Sequence, residues 1–275
     1  MKKLFITLTV MALALFAANA EEKTKTYDFG DIRSINVGYM YEVFVTEGNS
    51  DEVKVVYDSK FEDYIQVKYT SEKRKVSISM KDNLPKVLTT GQLPRIKVYL
   101  EMNDIENLQL SGAVTVNFEG EYKAGEAKIE ISGASKIKNL NIKGKSLDFT
   151  CSGASKADIE GNFSGEVDID LSGASKVEYT GNCKEINVEA SGASYADMEG
   201  ASEEAEFECS GASNIQAKKF ITKNATVYLS GASKADVHAT SNLAYSASRA
   251  CKITYYGDAV LKNLSPDTNV RKGNL

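Results

Sequence analysis

The stretch Val167-Asp168-Ile169-Asp170-Leu171-Ser172-Gly173-Ala174-Ser175-Lys176-Val177-Glu178-Tyr179 decides the fold. Its first five residues alternate apolar and charged, the period of a half-buried strand. Ser-Gly-Ala-Ser follows, with a glycine where the chain bends and a side chain would obstruct it. Val177 and Tyr179 resume the alternation, and Gly181-Asn182 supplies a turn. Nothing here has a helical period, and the unit leaves no room for a helix.

Working outward, Ser-Gly-Ala recurs from Ser111, Ser132, Ser152, Ser172, Ser191, Ser210 and Ser230, at spacings of 21, 20, 20, 19, 19 and 20. Every copy after the first extends to Ser-Gly-Ala-Ser, and Lys follows at 136, 156, 176 and 234. Two decayed copies begin at Ser248 and Ser265. A fixed period of this kind marks stacked structural units, with atypical units at the end. The pattern predicts an all-β chain, a right-handed parallel β-helix or β-solenoid of coils about twenty residues long. The competing arrangement is a meander of hairpins, which rarely repeats a side-chain motif so strictly. Stacking turns each position into a column along the axis. The alanines of the motif are expected to fill a tight inward corner, and the serines to hydrogen-bond along the axis rather than act as nucleophiles, since no base accompanies them.

Residues 1–20 read as a signal peptide: Lys2 and Lys3, an apolar run, and Ala18-Asn19-Ala20 before Glu21. Losing the two lysines takes the net charge from −5 to −7. No later stretch is apolar enough to span a bilayer, and the acidic balance argues against nucleic acid as partner. Residues 21–110 form a β-rich region that caps the solenoid, and 111–275 the repeat β-helix. In the cap, Ile35, Val37, Tyr39, Tyr41, Val43 and Val45 alternate, and residues 81–95 are the longest loop candidate. Four cysteines could pair in three ways. The repeat register instead puts Cys151 and Cys209 three rungs apart in an apolar column, about 14 Å at the sheet spacing, beyond the ~7 Å a disulfide allows. All four are expected to be free thiols.

Little in the chain supports catalysis. His238 is the one imidazole and is out of phase with the apolar positions, there is no Trp, and no Arg occurs between Arg95 and Arg249. No zinc spacing, P-loop or dinucleotide fingerprint is present. No cofactor is expected. One charged pattern stands out: Asp168, Asp170, Glu189, Glu206 and Glu208 fall on outward positions of neighbouring rungs, a candidate binding patch. Like charges stacked in a sheet repel. Ca²⁺ could relieve that repulsion, and a solvated acidic face is the plainer reading.

The Ser-Gly-Ala-Ser-Lys corners, the opening Ile35-Asn36-Val37-Gly38-Tyr39-Met40-Tyr41-Glu42-Val43 and the closing Tyr255-Tyr256-Gly257-Asp258 resemble the family "putative auto-transporter adhesin, head GIN domain" over residues 27–272. The resemblance implies a β-helical fold and export in a Gram-negative bacterium, to the periplasm or the cell surface, and carries no catalytic residues. No translocator barrel is expected after the last repeat. The function expected is a non-catalytic envelope protein, an adhesin-like or ligand-binding module for an extracellular glycan or protein surface. A polysaccharide-active β-helix enzyme using Asp168 and Asp170, and a purely structural envelope protein, are the alternatives.

Overall fold

The computed structural model describes residues 22–50, 52–83, 96–265 and 270–274. The expected signal peptide and most of the 81–95 loop lie outside the described residues. The chain forms a β-solenoid of about eight turns with parallel stacked coils.

In chain order the strands are β1 (Glu22–Asp28), β2 (Ser34–Val37), β3 (Tyr41–Glu47), β4 (Glu52–Asp58), β5 (Ile65–Thr70), β6 (Lys75–Met80), β7 (Ile96–Met102), β8 (Asn107–Leu110) and β9 (Thr115–Glu119). The repeats supply β10 (Glu121–Ile131), β11 (Lys136–Cys151), β12 (Lys156–Phe163), β13 (Glu166–Leu171), β14 (Lys176–Asn182), β15 (Glu185–Ala190) and β16 (Tyr195–Cys209). The rod finishes with β17 (Asn214–Leu229), β18 (Lys234–Ala247), β19 (Lys252–Tyr256), β20 (Val260–Asn263) and β21 (Val270–Lys272). Strands entering each corner stack into a front sheet, and strands leaving it stack into a back sheet. Alternate residues of both sheets point inward. Val167, Ile169 and Leu171 from the front and Val177 and Tyr179 from the back are buried within one continuous core.

The corners differ from expectation in one respect. Ala134, Ala154, Ala174, Ala193, Ala212 and Ala232 are exposed, and the fourth residue is the buried one: Ser135, Ser155, Ser175, Ser194, Ser213 and Ser233. The cause is the glycine. Gly173 has φ +75°, a left-handed turn that sends the next side chain outward and the one after it into the core. Its own Cβ position lies 2.7 Å from the Gly153 carbonyl oxygen one rung below, so even alanine would collide with the stack. Ala174 N–H donates to that same carbonyl at 2.8 Å. The buried serines of the later corners close the bend: Ser213 Oγ donates to Ser210 O at 2.7 Å and lies 2.8 Å from Ala190 O. Val114 and Cys251 occupy the same inward position in the first and last corners.

The N-terminal region is built out of chain order. β2 pairs in parallel with both β6 and β8, and β3 with both β7 and β9. The β2–β3 coil is therefore sandwiched between the later β6–β7 coil and the β8–β9 coil. Outside this, β4 adds to β7, β1 to β4 and β5 to β6, all antiparallel. The alternation from Ile35 to Val45 is not one strand. It is interrupted at Gly38-Tyr39-Met40, where Tyr39 has φ +90° and its carbonyl accepts from Ala113 N–H at 2.6 Å. This segment is a corner without the motif. Here Tyr39, and not a glycine, takes the positive φ in the rung next to Gly112.

Candidate functional site

The front sheet places the expected acidic residues as rungs of two ladders. Asp170 pairs with Glu189 and Glu189 with Glu208, while Asp168 pairs with Asn187 and Asn187 with Glu206. Asn187 Nδ2 donates to Asp168 Oδ1 and to Glu166 Oε1, each at 2.9 Å. All five acids point outward, Asp168 half-buried and the others exposed. The ion pairs of this sheet lie lower in the stack, where Lys128 reaches Glu130 at 3.1 Å and Asp148 at 3.2 Å. Among the described residues none of the five acids joins an ion pair. Burial against neighbouring side chains pushes the Asp170 carboxyl above its ordinary value, with Asp148 and Asp168 adding to the effect. Glu189 is raised by burial, then by Asp170, Glu208 and Asp168. Glu208 is raised by burial and by Glu206.

The back sheet carries the opposite arrangement. Lys156 and Lys176 grip Glu178 at 2.9 and 2.8 Å, and their hydrogen bonds lower its pKa to about 2. The lysines that follow the corners thus neutralise acids of their own sheet and leave the front ladder uncompensated.

Cation binding needs ligands that converge from several directions. Among the described residues no group of three or more His, Cys, Asp or Glu side chains is arranged to hold a metal ion. His238 is half-buried, with Nδ1 3.2 Å from the Lys218 carbonyl, and has no acidic partner in that contact. The four cysteines are free and buried, as expected. Burial pushes the thiols of Cys151 up to about 11 and of Cys183 and Cys209 up to about 12. Such groups are inert as nucleophiles near neutrality.

Sequence reading missed the groove beside the ladder. The column two residues before each corner runs unbroken through Asn36, Gln109, Glu130, Thr150, Asp170, Glu189, Glu208, Tyr228 and Ser246. The first serine of each corner stands across from it. Between the two columns lie two depressions in line. One, of about 360 Å³, is lined by Asn36, Gln109, Glu130, Thr150, Ser132 and Ser152 among others. The second, of about 200 Å³, is lined by Glu189, Glu208, Tyr228, Ser191, Ser210 and Ser230 among others. Gln109 Nε2 donates to Glu130 Oε2 at 3.0 Å. Ser132, Ser152 and Ser191 donate to the carbonyl of the preceding rung at 3.3, 3.4 and 3.2 Å, which leaves their lone pairs facing the groove. Tyr228 is 39% exposed, one of the few large rings on the surface. The ladder column was legible in the repeats. Its extension into Asn36 was not, because the corner after Asn36 lacks the motif.

The stack has relatives among solved structures. A protein described as a putative adhesin from Parabacteroides merdae ATCC 43184 superposes with a TM-score of 0.61 at 16% identity, covering 93% of this chain and 98% of that one. A protein described as a putative lipid binding protein from Parabacteroides distasonis ATCC 8503 gives 0.59 at 15% identity, with the same 93% and 98% coverage. A putative adhesin from the same organism gives 0.54 at 16% identity, over 92% of this chain and 97% of that one. At these identities the likeness is one of fold. No curated protein sequence matches the chain. A family model does, over residues 31–180 and 163–259. These matches run through both the interleaved N-terminal coils and the repeats, and the chain belongs to the family described as "putative auto-transporter adhesin, head GIN domain".

Proposed function

We propose that this protein is a non-catalytic, exported envelope protein, an adhesin-like rod that binds an extended ligand along its front groove. The observation that carries the reading is the groove itself: two depressions in line parallel to the axis, separated at the Asp170 rung and lined by side chains from successive coils. Flat repeated faces of this kind suit long ligands better than small molecules. Its membership in a family described as adhesins supports the same reading. Among the described residues no helix is long and apolar enough to cross a membrane.

The enzyme reading fares less well. A glycosidase places its two carboxylates on opposite sides of the scissile bond. Asp168 and Asp170 lie two residues apart on the outward face of β13, and Glu189 and Glu208 are neighbours in one column, so each pair would meet a bound chain from the same side. A lipid site fits less well, because an acyl chain laid in either depression would lie against a carboxylate, Glu130 in one and Glu189 and Glu208 in the other.

The test is to screen the chain from residue 21 onward against a glycan array and a panel of surface proteins, beside hydrolase and lyase assays on the same polysaccharides. The expected result is saturable retention of at least one extended ligand without turnover. Retention should weaken when Asp170→Asn, Glu189→Gln and Glu208→Gln are combined, with the fold intact by circular dichroism. Turnover of a polysaccharide that is lost on Glu189→Gln or Glu208→Gln would overturn the reading.

A further inference from the structure

Resting on the groove as the binding site, we infer that its ligand is a single neutral glycan strand, lying parallel to the rod axis and bridging both depressions. The chemistry of the walls selects the class. Each rung offers a serine hydroxyl on one side and a carboxylate, amide or hydroxyl on the other, groups that exchange hydrogen bonds with sugar hydroxyls. Asp170, Glu189 and Glu208 form a run of negative charge without a cation beside it, which repels sulfated or carboxylated chains. Tyr228 stands at the far end of that run with its ring exposed, an apolar face with a polar tip against which a sugar ring can pack. An extended peptide is a poorer fit. Peptides that lie along sheets use an open strand edge and alternating apolar pockets, whereas this groove crosses the strands and has neither.

Periodicity selects the orientation. The groove repeats at the rung spacing of ~4.8 Å, close to the length one sugar adds to an extended chain, so each sugar meets about one rung. From Gln109 in the first depression to Tyr228 in the second is six rungs, roughly 29 Å at that spacing. A strand of about seven sugars reaches both residues, and a strand of three covers one depression. Linking two weak sites through one ligand raises affinity beyond either alone.

Calorimetric titration of the full mature chain with linear β-1,4-linked glucose and mannose oligosaccharides of two to eight units tests this. For at least one series, affinity should climb at least tenfold between three and seven units and then level off, at one strand per chain. Gln109→Ala in the first depression and Tyr228→Ala in the second should each weaken the seven-unit ligand about tenfold and flatten the length dependence. Their unfolding midpoints should stay close to wild type, since both are surface positions. Length-independent affinity, two strands per chain at saturation, or preference for sulfated over neutral chains would each overturn the inference. Absence of binding in both series would overturn it as well. In that case retention of some other ligand in the array or protein screen would leave the binding-rod reading standing, and retention of nothing would remove both.

Discussion

The N-terminal coils and the repeats reach the same stacked geometry by different routes. In the repeats each coil lies on the one before it, and an identical Ser-Gly-Ala-Ser corner is laid down each time. In the N-terminal region β2 and β3 are made first and then enclosed, with β6 and β7 on one side and β8 and β9 on the other. Tyr122, early in the repeats, donates to Val45 O and to Glu119 O at 2.9 Å each, tying β3 into the first long coil. A repeat in sequence is therefore sufficient for this stack and not necessary for it. What every rung needs is an inward apolar alternation and room for the backbone above.

Room for the backbone is the harshest requirement, and positions should respond to losing it very differently. A Cβ on Gly181, whose φ is +157°, would overlap the carbonyl oxygen of Gly161 in the rung below. Gly181→Ala should cost more than about 4 kcal/mol, a large part of the stability of an ordinary chain. Gly125, in β10, has nothing within 4 Å of its Cβ position. Gly125→Ala should shift stability by no more than about 0.5 kcal/mol. Urea unfolding of the two variants checks both. At the corners, Gly173→Ala combines a left-handed φ with the 2.7 Å approach to Gly153 O, and about 3 kcal/mol is expected. Tyr39, the N-terminal member of the same column, already carries a side chain, so Tyr39→Ala should show no backbone overlap and lose only its packing.

These contrasts also explain what the sequence disclosed. The strand pairs, the parallel stack and the buried Cys151 and Cys209 followed from Ser-Gly-Ala spacing, because a fixed period forces each position into a column. The inward side of the corner did not follow. Alanine is the more apolar residue, and only the positive φ of the preceding glycine shows that serine takes the interior. Interleaving of β2 and β3 was equally hidden, since Gly38-Tyr39-Met40 shares no residue type with Ser-Gly-Ala in phase. Of the candidate patch, the acidic ladder was legible and its partner wall of serines was not, because the groove exists only once coils are stacked.

A smaller contrast lies within the repeats. Ser213 donates to Ser210 O and lies close to Ala190 O, whereas the hydroxyls of Ser135 and Ser155 are buried without a partner. Ser213→Ala should cost about 1 kcal/mol. Ser155→Ala should be neutral or slightly stabilising, because it removes an unsatisfied buried group. Thermal melts of the pair at one pH compare them directly.

The smallest effects are those of pH, and the two sheets should differ in sign. On the front sheet the carboxyl pKa values of Asp170, Glu189 and Glu208 are raised, so their charge opposes folding. That penalty is full above the raised values and gone below the ordinary ones of 3.8 and 4.5. Combining Asp170→Asn, Glu189→Gln and Glu208→Gln should raise the melting temperature at pH 7, with the gain fading as pH falls through the raised values and gone by about 4. On the back sheet Glu178 is lowered from 4.5 to about 2, so its pairing with Lys176 and Lys156 supports folding at neutral pH and is lost as pH falls toward 2. Glu178→Gln should lower the melting temperature slightly at pH 7, and the difference should vanish in strong acid. Salt should shrink both effects, since the side chains are largely solvated.

One continuous stack runs from the enclosed β2–β3 coil into the repeats. Native-state hydrogen exchange tests this most directly. Amides of Ile35, Val37, Val43 and Val45 should be protected as strongly as those of Ile169 and Val188, and should open with them, while β1 and β20 at the two ends exchange first. Exchange of β2 and β3 together with β1, well before the repeats, would show a separate N-terminal unit and contradict the account.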